Sequence, residues 1–170
     1  MRWGRVLAGV VASASVGWGY GAACAATTPL VGPPPAWVKP APAVPTEPLQ
    51  AAGPPITFLL DDSQFSFDAD GWTNYSNTEV KIQSSAGLQM LGALPFAWSP
   101  WSDTLTFHRV VILRNGQVID LLPKDGVFTV LRRETGLAQA SLTGELTALI
   151  QPEGLEVGDV LQVVDRKSVV

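Results

Sequence analysis

At 170 residues, with 46% hydrophobic against 15% charged side chains, the chain is long enough for one domain with a proper core and too apolar for a disordered chain. Its net charge of −4 becomes −6 once Arg2 and Arg5 are set aside, and with no run of Lys or Arg to offset it, nucleic acid is not an expected partner. One cysteine and one histidine exclude a disulfide framework and a Cys/His zinc site, so no metal or other cofactor is expected.

Arg2 and Arg5 precede an apolar run from Val6 to Trp18, and small residues then lead to Ala23-Cys24-Ala25. This is the pattern of a secretory signal peptide over 1–25, its apolar run too short to span a bilayer well. Cleavage after Ala25 would remove Cys24 and leave no membrane attachment. The rival is a lipoprotein signal retained through Cys24, which fits less well because Gly21 stands where such signals carry an aliphatic residue. Either route takes the product out of the cytoplasm.

Ten of the fourteen prolines fall between Pro29 and Pro55. Each removes a backbone donor and biases its predecessor toward extended geometry, so residues 26–55 are expected to form a semi-rigid Pro/Ala-rich linker without sheet or helix. Trp37 is the one residue in it able to dock onto something.

From Ile56 onward β-branched and aromatic runs alternate with turn residues. Ile56 to Phe67 forms the first predicted strand. Ile56, Phe58 and Leu60 share one parity and Phe65 and Phe67 the other, which predicts a β-bulge near Asp61-Asp62. Asp68-Ala69-Asp70-Gly71 then turns the chain into a strand from Trp72 to Ile82. Further strands are predicted at 88–98, 104–113, 117–122, 127–132, 145–150 and 157–164, with a weak helical turn at 135–142. Short strands without a long helical period argue for an all-β, antiparallel sandwich-like domain over 56–164.

Asn115-Gly116 fits a two-residue type I′ turn, since both central positions need positive φ. Arg114 then faces Gln117, Leu113 faces Val118, Ile112 faces Ile119, Val111 faces Asp120 and Val110 faces Leu121. Simple alternation places His108 with Val110, Ile112, Ile119 and Leu121, as a neutral, hydrogen-bonded histidine at the end of a packed strand. Both faces of the hairpin are apolar, so it should be covered twice. Arg109 and Asp120 lie diagonally and are expected to form a structural ion pair.

Other candidates for chemistry have plainer explanations. Asp68 and Asp70 lack the ligands that would complete a calcium loop. Asp61-Asp62 suits a solvated bulge better than a catalytic dyad, and Arg132-Arg133-Glu134 suits an exposed strand end. A serine triad would require His108, and neither a GxSxG elbow nor a phosphate-binding glycine loop is present. No catalytic residue is therefore assigned. Trp72, Trp98 and Trp101 could form an aromatic platform for a sugar ring or peptide, although core and edge packing also accounts for them.

The segments "LTFHRVVILRNGQVIDLL", "FTVLRRETGLAQASLTGELTA" and "IQPEGLEVGDVLQVV" resemble, in order, the bacterial domain of unknown function that follows a signal peptide and precedes a transglutaminase-like domain. The resemblance implies a non-catalytic accessory β-domain in exported proteins of Gram-negative bacteria, periplasmic or secreted. Its partner in cis would be the transglutaminase-like domain, whose Cys, His and Asp triad no residue here inherits. The chain is then expected to be the front piece of a longer protein. The alternative is a stand-alone module binding a cell-envelope glycan or peptide. Asp165 to Val170, "DRKSVV", can be encoded by a common sequencing-adapter stretch and are expected to be a non-native tail.

Overall fold

Alternating β-branched and aromatic residues from Ile56 onward build two facing sheets in the computed structural model, which describes residues 27–44, 53–69, 71–123, 128–132 and 143–169. The first sheet contains β1 (Leu30–Val31), β2 (Ile56–Phe67), β3 (Trp72–Ile82), β5 (Asp103–Arg114), β6 (Gln117–Asp120) and β9 (Val160–Val169). Its path runs β1-β5-β9-β3-β2, with β6 pairing beside β1 along the same edge of β5. The second, three-stranded sheet is ordered β4 (Leu94–Trp98), β8 (Leu146–Ile150), β7 (Thr129–Arg132). All pairings are antiparallel except β1 with β5. The all-β architecture follows the strand pattern of the sequence.

The core lies between the sheets. Trp98, Leu105, Phe107, Val110, Phe128, Ala148 and Ile150 form one buried cluster. Phe96 meets Phe107 edge-on at 4.8 Å, and Phe128 stacks on it at 5.2 Å, geometries that aromatic rings prefer. Leu105 and Phe107 are odd-numbered whereas Val110 and Ile112 are even-numbered, yet all four are buried. A register shift between Phe107 and Arg109 accounts for this, because His108 is the extra residue of a β-bulge against β9. His108 is thereby turned away from Phe107 and Val110, toward the outer face. The expectation that it shares the face of Val110 and Ile112 fails because it assumed unbroken alternation.

The Asn115-Gly116 turn adopts φ of 49° and 79°, and the register of the hairpin agrees with the sequence at all four ladder pairs. The Leu121 amide donates to the Val110 carbonyl, continuing the pairing. Double coverage holds for β5, where Phe107, Val110, Val111 and Ile112 are all buried, but not for β6, where Val118 and Ile119 are exposed. β5 lies between β9 and an occupied edge, whereas β6 is a short outer strand.

Three further expectations are corrected. The bulge in β2 falls between Phe58 and Leu60 rather than at Asp61-Asp62. The predicted strand at 88–98 divides into a helix, α1 (Ser85–Leu91), and β4, since a short apolar run reads equally well as either. The linker is not wholly free of sheet: Leu30–Val31 pairs in parallel with Thr106 and Phe107, and the Gly32 amide donates to the Phe107 carbonyl. Downstream, the Lys39 amide donates to Gln64 Oε1 while Gln64 Nε2 donates back to the Lys39 carbonyl. Residues 27–44 therefore form a strap from the β5 edge to β2. Residues 165–169 continue β9, paired on both sides. Residues 1–25 and the predicted helical turn at 135–142 lie outside the described residues.

Candidate functional site

The bulge gives His108 a specific environment. Its Nδ1 lies 2.7 Å from the Gly32 carbonyl oxygen, which can only accept, so Nδ1 carries the proton and donates. Nε2 is buried without a hydrogen-bond partner, and the ring stacks on Tyr75 at 5.8 Å. Burial lowers the imidazole pKa from its ordinary 6.5; the Gly32 carbonyl acts in the opposite sense, and Arg166 adds to the lowering. Among the described residues no hydroxyl or carboxylate hydrogen-bonds either ring nitrogen. The ring fastens the strap to the sheet.

A second polar centre sits at the hairpin end and was not foreseen. Arg114 grips Asp159 with two bonds, Nε to Oδ1 at 2.8 Å and a terminal nitrogen to Oδ2 at 2.7 Å, and reaches Glu156 at 2.7 Å. Burial pushes the Asp159 carboxyl up, but its bonds with Arg114 and the Glu156 amide outweigh that and hold it below its ordinary value. This centre borders an open cavity of about 620 Å³ that also touches Glu79, Lys81 and Val44. The pairing joins positions 114 and 159, which no local spacing in the sequence connects.

The three tryptophans nominated as a platform do not act together. Trp98 is 1% exposed and belongs to the core, so it is withdrawn as a ligand residue. Trp101 and Trp72 are 69% and 37% exposed. The aromatic rings beside Trp72 are phenylalanines: Phe65 lies 6.2 Å away, and Phe65 stacks on Phe67 at 6.4 Å with 16° between the planes. The i, i+2 spacing of Phe65 and Phe67 before the Asp68 turn is the signal that could have revealed them. Trp37, the candidate within the linker, lines with Asp62, Gln64 and Phe65 an open groove of about 430 Å³ at the β2 edge.

Several smaller expectations are also decided. Asp68 Oδ1 accepts from the Gly71 amide, and the Asp68 amide donates to the Gly71 carbonyl, a turn role; Asp70 lies outside the described residues. Arg109 and Asp120 form no ion pair among the described residues. The Asp120 carboxylate is instead taken up locally, its Oδ1 accepting from the Leu122 amide. Arg132 ends β7 on an exposed position, while Arg133 and Glu134 are outside the described residues. Asp165 faces Phe107 across the ladder, where burial pushes its carboxyl from 3.8 to about 6.

Comparison with known proteins gives one family. The model of the "Domain of Unknown Function with solved-structure structure (DUF3857)" matches residues 68–167, more than half of the chain. No curated protein matches the sequence. Among solved structures, a crystal structure from Parabacteroides distasonis described as a "putative protease" aligns with a TM-score of 0.60 and 13% identity, over 68% of this chain and 23% of that one. Identity at this level shows a shared fold alone, and the chain spans less than a quarter of that protein's length.

Proposed function

We propose, because the chain belongs to the DUF3857 family, that it is a non-catalytic accessory module of an exported protein, serving a transglutaminase-like domain carried on the same polypeptide. The observation that carries this reading is the state of the only imidazole: Nδ1 is bonded to the Gly32 carbonyl and Nε2 is enclosed without a partner, an architectural arrangement. The leader pattern at 1–25 supports export to the periplasm or beyond. In the same reading, Asp165 to Val170 are non-native. A carboxyl on the parity of Leu161 and Val163, pushed up to about 6 by burial, speaks for this, the family match through residue 167 and the pairing of 165–169 in β9 speak against it, and resequencing past codon 164 tests it.

The experiment for the accessory role is to express the complete gene with and without residues 56–164. Loss of folding, localisation or activity in the remainder is expected. An unchanged remainder would dismiss the role.

Exposed aromatic rings favour a second reading, a module that binds a cell-envelope glycan or peptide. Its seat would be among Trp72, Trp101 and the adjoining aromatic side chains, with Trp98 removed from the set.

A further inference from the structure

We propose that the aromatic end of the larger sheet, formed by Phe65, Phe67, Trp72 and Trp101, is the surface on which the polypeptide following β9 docks. The inference rests on the accessory-module reading and gives it a contact face. The ladder registers place that face. Phe67 pairs with Trp72, Trp72 with Val169 and Val169 with Asp103, while Phe65, Asn74, Lys167 and Leu105 form the next row on the same side. Leu105 belongs to the core, so Phe65, Phe67 and Trp72 lie on the core side of the sheet, not its outer side.

That side is covered only in part. The second sheet packs on β5 through Leu105, Phe107 and Val110, whereas β2 lies three strands further along the larger sheet. Side chains that a wider cover would enclose are therefore open, Phe65 being 53% and Phe67 76% exposed. With Trp72 they present roughly 300 Å² of aromatic surface. Apolar patches of that size often mark interaction sites, and aromatic rings are enriched at the centres of protein interfaces.

The course of the chain identifies the occupant. β9 runs toward this end, where Val169 stands between Trp72 and Asp103, and Trp101 sits in the turn just before Asp103. Aromatic residues thus flank the exit of β9 on both sides, and Phe67 is two strand spacings from it, about 10 Å. Because β3 and β5 both extend to this row, a strand between them delivers the chain here whatever the identity of residues 165–170. In the solved structure that shares the fold, the aligned region is 23% of the chain, so there the fold carries several times its own length of further polypeptide. A domain attached within a few residues of Val169 stays near the patch at high effective concentration, so modest apolar complementarity is enough to seat it. A free glycan lacks that advantage.

Hydroxyl-radical footprinting of the complete gene product and of the 170-residue chain tests the surface. Met90 on α1, exposed and at the other end of β3, is the internal reference. Oxidation of Phe67, Trp72 and Trp101 is expected to be about fivefold lower in the complete protein, as for side chains at an interface centre, with Met90 unchanged. Phe67→Asp, and separately Trp101→Ser, are expected to restore oxidation of Trp72 in the complete protein without shifting the melting temperature of the 170-residue chain, because both side chains are already exposed. Equal oxidation in the two proteins overturns the surface; if deleting 56–164 still impairs the remainder, the accessory reading stands without it. Protection already present in the 170-residue chain, with a dimer in sedimentation, assigns the face to a second copy and overturns the proposal. Protection of that chain only on adding chitotriose assigns the face to a glycan and overturns it equally.

Discussion

His108 and Asp165 lie at one bulge, on opposite faces of the sheet, and titrate with opposite consequences for stability. The folded state resists protonating His108, so its contribution is present above the ordinary pKa of 6.5 and is lost as pH falls below it. Asp165 has its folded pKa raised to about 6 from 3.8, so its ionised form is unfavourable above pH 6 and the strain is relieved as pH falls toward 3.8. By linkage, that shift is worth about 3 kcal/mol at pH 8. Asp165→Asn is therefore expected to stabilise the protein by up to about 3 kcal/mol at pH 8 and by almost nothing at pH 4. His108→Gln, which retains a donor for the Gly32 carbonyl, is expected to reduce the loss of stability between pH 7 and pH 5. Urea unfolding of both variants at pH 4, 5, 7 and 8 checks the two signs.

At the scale of elements, what could be read from the sequence was whatever local pattern determines. β2 and β3 have the predicted limits because Asp68 and Gly71 close a turn between two alternating runs. The β5–β6 register follows from the positive φ of Asn115 and Gly116. Helix α1 was not legible, because what places it is tertiary: Gly87 approaches β2 so closely that a Cβ there would meet the Pro55 carbonyl oxygen at 2.3 Å and Ile56 at 3.0 Å. Gly87→Ala is expected to destabilise by about 2 kcal/mol through overpacking against backbone, measured by denaturant midpoint. The candidate sites were hidden for a related reason. Trp98 and Trp101 are three residues apart, yet one is core and the other exposed, and only the pairing of β4 with β8 separates their fates.

At the scale of the whole molecule, the strap converts a proline-rich stretch from tether into covering. Beneath it and nearby, Tyr75, Asn77, Thr106 and Gln162 are buried although they lie on the sheet face away from the core. Besides the β1–β5 ladder, four hydrogen bonds fasten it: the Gly32 amide, the His108 ring and the two at Gln64. At about 1 kcal/mol net for each, partly cancelled by the entropy of ordering the segment, removing 27–44 is expected to cost about 2 kcal/mol. Thermal melts of the deletion variant, with hydrogen exchange at Thr106 and Phe107, check this; unaltered protection at those amides would contradict the docked strap.

The bulge at His108 also carries a consequence for how the chain tolerates changes in length. Upstream and downstream halves of β5 are one residue out of phase, and that single offset lets Leu105 and Val110 point the same way while two unlike strands share an edge. Excising His108, the extra residue, would leave Phe107 opposite Asp165 and Arg109 opposite Val164 in an unbroken ladder, with Leu105, Phe107, Val110 and Ile112 still on one face. A one-residue deletion there is thus expected to leave the protein folded and to remove the ring's bond to the Gly32 carbonyl, whereas exchanging the imidazole for glutamine keeps a donor in place. Circular dichroism and thermal melts of the two variants check this: a deletion variant that fails to fold would show that the bulge itself, and not only its imidazole, is required.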